Sequence, residues 1–275
     1  MAYIEFYINT YNSFFCVDYQ IKTIIFFCKD PYKILIIDSN CGEHQEVSLK
    51  IKKLCYDNKI ELIILPYNDG FNSKQNGSII LGNKLNYIFN NIVKIRQPRY
   101  FAFIDHDMFM YKPFTIIDFL EKYGMWGDIQ EIDSVKSISN FKKDIVEGPW
   151  VIHPWLSFYK YDFVKNERMN WLPCTYNNGS FDTGGCLWEC FIQKMQLKKE
   201  IYWFRENINM LYPFKEISNS GIHPFESHYF IYNNKKLYGQ IQLNNGFIHM
   251  INSSNDILNP KLIYVKAFID SRLLD

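Results

Sequence analysis

Along the first part of the chain, short apolar runs alternate with longer segments whose apolar residues recur at helical spacing. Residues 3–8 form an apolar run that breaks at Asn9-Thr10-Tyr11-Asn12-Ser13, which predicts a strand, a turn and a helix start. A helix is expected over 14–28, closed by Asp30-Pro31, because the residue before a proline resists helical geometry. A second strand, 32–37, stops at Asp38-Ser39-Asn40-Cys41-Gly42. Val47, Leu49, Ile51, Leu54 and Cys55 then mark a helix over Gln45–Asp57. Residues 61–65 read as a third strand broken by Pro66. An amphipathic helix over 77–95 carries Ile80, Leu81, Leu85, Ile88, Phe89 and Ile92, and a fourth strand, 100–104, ends at Asp105-His106-Asp107.

This rhythm implies right-handed crossovers and an α/β fold built on a mostly parallel sheet. Ligands of such sheets sit beyond the carboxyl ends of the strands, which selects residues 9–12, 38–42 and 105–107. After Pro113 the rhythm changes. A helix is expected over 113–122 with proline at its first position, followed by a strand over 123–129. Residues 133–147 are polar and lid-like. From Trp150 the chain is aromatic and irregular, with a helix over 183–196, one or two strands within 236–250 and a last helix over 260–272. No repeat or low-complexity linker divides the chain, so one domain spanning 1–275 is expected.

Composition narrows the partners. The 30 Lys and Arg against 29 Asp and Glu leave no basic excess for nucleic-acid phosphates. Lys50-Ile51-Lys52-Lys53 and Lys142-Lys143 read as solvated helix faces. The 23 Phe, 20 Tyr and 6 Trp supply core, and some could stack on a sugar face. Seven cysteines without framework or zinc-finger spacing read as buried thiols of a reducing compartment. The N-terminus has no secretory signal pattern, and no run of roughly 18 apolar residues predicts a transmembrane segment. A cytoplasmic protein is expected.

The chemistry concentrates at Phe101-Ala102-Phe103-Ile104-Asp105-His106-Asp107-Met108, where an apolar strand delivers two carboxylates to the ligand edge of the sheet. Paired hard oxygen donors suit Mn²⁺ or Mg²⁺, ions that complete their shell with water and substrate phosphates. An acidic turn closing a strand is the plainer alternative. His106 is expected to point away from both carboxylates.

With these motifs the chain resembles the GT-A glycosyltransferases, particularly family-2-like enzymes with a DxD motif. The resemblance runs from Tyr3 to about Pro113. It implies a Rossmann-like GT-A fold with a nucleotide-sugar-binding half, 1–112, and an acceptor-binding half, 113–275. In that family the first strand ends in a loop for the donor nucleotide, matched by Thr10-Tyr11-Asn12. Asp38 matches an Asp that would bind the base or ribose; it could equally be a turn or capping residue. The stretch from Asn76 and Gly77 to Asn83 is similar to a segment opening a helix that faces the donor, although capping alone also explains it. A late His is often the third metal ligand, and His249 is the candidate, with a core histidine as the alternative.

For the acceptor half the resemblance implies a carboxylate as general base. Asp182, in Phe181-Asp182-Thr183-Gly184-Gly185, is the first choice, with an N-cap as the alternative role. Glu189 is a weaker choice, and Trp150, His153 and Trp155 could form an aromatic wall for a sugar. The expected reaction is metal-dependent transfer from a nucleotide-sugar donor, a UDP-sugar by its commonness, to a glycan or other hydroxyl acceptor, with inversion.

Two other readings remain. Ile104-Asp105-His106-Asp107 is close to the signature of haloacid-dehalogenase-type phosphohydrolases. However, Phe109 stands where Thr or Val belongs, the motif follows three strands instead of opening the domain, and the acidic Gly127-Asp128 arrives too soon. A non-catalytic nucleotide-sugar- or glycan-binding module is the other, against which the intact Asp38, Asp105 and Asp107 speak.

Overall fold

The computed structural model describes residues 2–40, 42–66, 69–71, 76–131, 150–176, 179–187, 190, 201–203, 223–225, 229–232, 235–238, 241–244, 246–250 and 260–274. The first four strands, β1 (Ile4–Thr10), β2 (Tyr32–Asp38), β3 (Glu61–Ile64) and β4 (Tyr100–Asp105), are separated by α1 (Phe14–Phe27), α2 (Gln45–Asp57) and α3 (Gly77–Ile88). There follow β5 (Met108–Met110), α4 (Ile117–Tyr123), β6 (Met125–Glu131), β7 (Trp150–Lys160) and α5 (Tyr161–Val164). Then come β8 (Cys174–Tyr176), β9 (Gly179–Phe181), β10 (Ile201–Trp203) and a meander of β11 (His223–Phe225), β12 (Tyr229–Tyr232) and β13 (Lys235–Tyr238). The last elements are β14 (Ile241–Asn244), β15 (Phe247–Met250) and α6 (Pro260–Leu273).

Seven strands form the central sheet in the order β10-β6-β7-β4-β1-β2-β3. Only β7 runs against the others, pairing antiparallel with both β4 and β6. The expected α/β fold with a mostly parallel sheet flanked by helices is therefore present. All seven residues of β1 are buried, as a strand covered on both faces requires. Ile4, Phe6 and Ile8 pack toward Val17, Ile21 and Ile24 of α1 and Ile51 of α2. Tyr7, on the other face, packs with Leu85 and Ile88 of α3.

Four expectations are corrected. The helix after Pro113 begins only at Ile117, because the carboxylate of Asp30 accepts from the backbone N–H of Ile116 and Ile117 and fixes the start there. Phe114 instead bridges to the end of α1: its N–H donates to Phe27 O and its carbonyl accepts from Lys29 N–H. The helix expected to run to residue 95 leaves α geometry after Ile88. A π-helical turn, Phe89–Val93, follows, then one short turn ended by Gln97 at φ 50°. The bulge seats Phe89 against Phe101 and Trp171. The supposedly irregular stretch from Trp150 is the eleven-residue β7 in the middle of the sheet. Finally, 183–186 are a turn, because Gly184 has φ 94° and the Asp182 carbonyl accepts from Gly185 N–H. Residues 188, 189 and 191–196 of the helix expected there, Glu189 included, and the polar segment 133–147 lie outside the described residues.

Candidate functional site

The chain leaves β1 for β2 on one side and returns as β4 on the other, so the sheet has its topological switch point between β1 and β4. Ligands of open α/β sheets bind at the carboxyl ends of the strands at such a point. Register brings the three selected segments together there: Thr10 lies opposite Asp38, and Asn9 opposite Asp105.

On the β1–β2 side, the Thr10 carbonyl accepts from Ser39 N–H and Oγ at 3.0 and 2.8 Å. Asn12, at φ 47°, donates its N–H to Asn40 Oδ1 at 2.8 Å. Asp38 is buried, and its Oδ1 accepts from Asn40 N–H and Nδ2. Asn40 thus ties both loops together, and one oxygen of Asp38 serves the turn. Tyr11 donates to Glu43 Oε2 at 2.8 Å, with the His44 ring edge-on. Lys84 of α3 is buried; its Nζ lies 4.9 Å from the centroid of the Tyr11 ring and donates to Ser39 O and Oγ. Asn76 caps α3 by accepting from Ser78 N–H, Gly77 borders open space, and Asn83 donates to Gly70 O. Gly82 serves packing, since a Cβ there would stand 2.6 Å from Trp171 O.

On the β4 side, Asp105 and Asp107 flank His106 in a turn between β4 and β5. The turn is fixed from outside by β15, whose Met250 N–H donates to Asp107 O and whose His249 pairs with Met108 in register. This pairing sets His249 Nε2 3.3 Å from Asp107 Oδ1. Burial, and next the negative charge of Asp107, push the Asp105 carboxyl up to about 7; His249 opposes the shift and Asp182 adds to it. Burial holds the His106 imidazole below its usual range, and His106 Nδ1 lies 3.3 Å from Asn9 O. Asn9 Oδ1, Thr10 Oγ1 and His106 Nε2 are buried without a hydrogen-bond partner among the described residues, which is costly unless a ligand completes them.

Asp182, which is exposed, enters from the β9 side; Thr183 Oγ1 donates to Ser78 O at the start of α3. The side chain of Asp182 accepts from the adjacent Thr183 N–H, a contact that does not cap a helix. His153 of β7 is buried, and burial takes its imidazole down to about 3, with the charge of Asp182 opposing. Its ring stacks on Trp155 at 3.6 Å, and Trp155 in turn lies 5.0 Å from the His249 ring. One face of Trp155 is therefore already covered.

The residues fit a divalent cation in donor type and charge: two carboxylates and an imidazole, with the Asp105 carboxyl raised by desolvation and by the charge of Asp107. Among the described residues no group of three His, Cys, Asp or Glu side chains is placed to hold a metal ion by itself. Mg²⁺-type sites commonly use only one or two protein carboxylates and take their other oxygens from phosphate and water.

Two features were missed by sequence reasoning yet left a signal there. Gln20 and Lys84 are polar residues on the buried stripes of α1 and α3.

No protein-family model and no curated protein matches the chain. Among solved structures it is similar to a Pyrobaculum calidifontis mannosyltransferase solved with GDP-Man and Mn²⁺. Identity is 11%, coverage is 59% of this chain and 45% of that one, and the TM-score is 0.37. It is also similar to the S. cerevisiae mannosyltransferase Ktr4p (10%, 60% and 58%, TM-score 0.41) and to S. aureus TarS 1–349 with UDP (14%, 75% and 58%, TM-score 0.41). The chain thus spans about half the length of these proteins. These likenesses are distant, and the architecture stands on the strand order itself. No helix among the described residues is long and apolar enough to cross a membrane.

Proposed function

We propose that this chain is a metal-dependent glycosyltransferase of the GT-A kind, moving a sugar from a nucleotide-diphosphate sugar to an acceptor hydroxyl with inversion. The observation that supports the reading is His249 Nε2 lying 3.3 Å from Asp107 Oδ1 at the switch point, one residue from Asp105, whose carboxyl feels the charges of Asp107 and Asp182.

In this reading Thr10, Tyr11, Asn12 and Asp38 hold the nucleoside, and Asn76, Gly77 and Asn83 border the donor from α3. Asp105, Asp107 and His249 hold Mn²⁺ or Mg²⁺. The bound cation supplies charge neutralisation for the diphosphate leaving group. Asp182 accepts the proton of the acceptor hydroxyl while that oxygen attacks the anomeric carbon. The bond from that carbon to the diphosphate breaks, its electron pair leaving with the nucleotide. Alignment of the hydroxyl and preorganised charge provide the acceleration. A UDP-sugar is the expected donor and a glycan or other hydroxyl compound the acceptor, in the cytoplasm.

The test is nucleotide release from UDP-, GDP- and dTDP-sugars with Mn²⁺ and an acceptor panel. Asp182→Asn should lose turnover on the order of 10²-fold or more while keeping donor binding; normal turnover in this variant would remove Asp182 from the base role. Phosphate release from phosphomonoesters without nucleotide-sugar turnover would instead indicate the phosphohydrolase. Donor binding without turnover on any acceptor would indicate the binding module.

A further inference from the structure

The Asp105–Met108 turn carries both carboxylates, and its backbone is gripped from inside the fold by one side chain. Gln20, on α1, is completely buried. Its Nε2 donates to Asp105 O at 2.7 Å and to Met108 O at 2.8 Å. A carboxamide has two N–H hydrogens, so each carbonyl receives one. These carbonyls belong to the first and fourth residues of the turn, the pair whose separation defines how tightly a turn closes. On its other side the turn is held at Asp107 O by Met250 N–H of β15.

Gln20 Oε1, meanwhile, is buried with no hydrogen-bond partner among the described residues. An unpartnered buried oxygen is destabilising, and an apolar residue would suit a stripe shared with Val17, Ile21 and Ile24. The carboxamide is therefore best explained by its two donors.

We propose that Gln20 is a positioning residue of the cation site: it fixes the turn in the shape in which Asp105 and Asp107 present their carboxylates together. This rests on the metal-binding reading above. Outer groups that orient metal ligands typically contribute about 10–100-fold to metal affinity, and Gln20 acts one step back, through the backbone that bears them.

The experiment measures Mn²⁺ binding by the full chain, without nucleotide, from the spin-resonance signal of free Mn²⁺, alongside melting temperature in EDTA. Gln20→Met keeps the side-chain volume and removes both donors; Gln20→Glu is isosteric and replaces the donors with acceptors, giving a second folded form if the first fails. Thr23→Val is the control. On the same helix Thr23 donates to Gln20 O and accepts from Met110 N–H, so its loss weakens the same packing without touching the turn carbonyls. The expected result is Mn²⁺ affinity about 10-fold weaker or more in both Gln20 variants and within about 2-fold of wild type in Thr23→Val. Wild-type affinity in a folded Gln20 variant overturns the assignment alone, and so does an equal loss in Thr23→Val, which would mark a merely structural role. A wild-type chain that binds no Mn²⁺ overturns the metal reading and this assignment with it.

Discussion

Asp105 stands half-buried at the sheet edge beside Asp107, and desolvation and that neighbour push its carboxyl from the usual carboxylate range up to about 7. Without a cation the folded chain keeps this proton to near neutral pH, whereas the unfolded chain loses it near 4. Between those values the folded state binds more protons, so the contribution to stability is full at low pH and is lost as pH rises through about 7. In EDTA, the melting temperature of wild type relative to Asp105→Asn should therefore fall between pH 5 and pH 8, and a flat difference would contradict the shift. Because proton and cation compete for the same oxygens, Mn²⁺ affinity should rise across that interval. At this scale the placement of Asp38 and Asp105 at strand ends, with Asp107 in the turn that follows, was legible from the apolar runs that precede them. His249 was named only through the family resemblance, because its proximity to Asp107 depends on pairing between β15 and β5. Nor did local sequence reveal the burial of His153 beside Trp155.

Among the elements, the βα units were readable because each strand and helix buries its own apolar period, and Gln45–Asp57 matches the expected span. What failed depended on distant partners. The start of α4 is set by Asp30 and the extended conformation of β7 by pairing with β4 and β6, and neither is encoded nearby. Gly82 illustrates a packing constraint of this kind. Its missing side chain lets α3 approach the backbone at Trp171 and Leu172, where a Cβ would stand 2.6 and 3.0 Å from backbone atoms. Gly82→Ala should destabilise the fold by about 1–3 kcal/mol in urea denaturation, because backbone cannot give way as a flexible side chain would. Unchanged stability would mean that α3 slides freely over that segment.

The whole molecule separates stability from chemistry along the strand direction. At the amino ends of the strands, away from the site, Glu5 is buried and held by Arg96 through Nε and Nη2 at 3.0 and 2.9 Å. Tyr7 donates to the same carboxylate, and Arg96 also reaches Glu61. Removing the guanidinium leaves a buried charge without its main partner. Arg96→Met should therefore lose about 3 kcal/mol of stability while leaving nucleotide affinity unchanged in the folded fraction. At the carboxyl ends the order reverses, and Asp107→Ala should fold normally but lose its response to cations. The most direct measurement is calorimetric titration of UDP into wild type and Asp107→Ala, each with Mn²⁺ and with EDTA, repeated with GDP. One nucleotide should bind wild type with Mn²⁺, with affinity about tenfold weaker or more in EDTA and in Asp107→Ala alike. Equal binding in all four conditions, or none by either nucleotide, would contradict it.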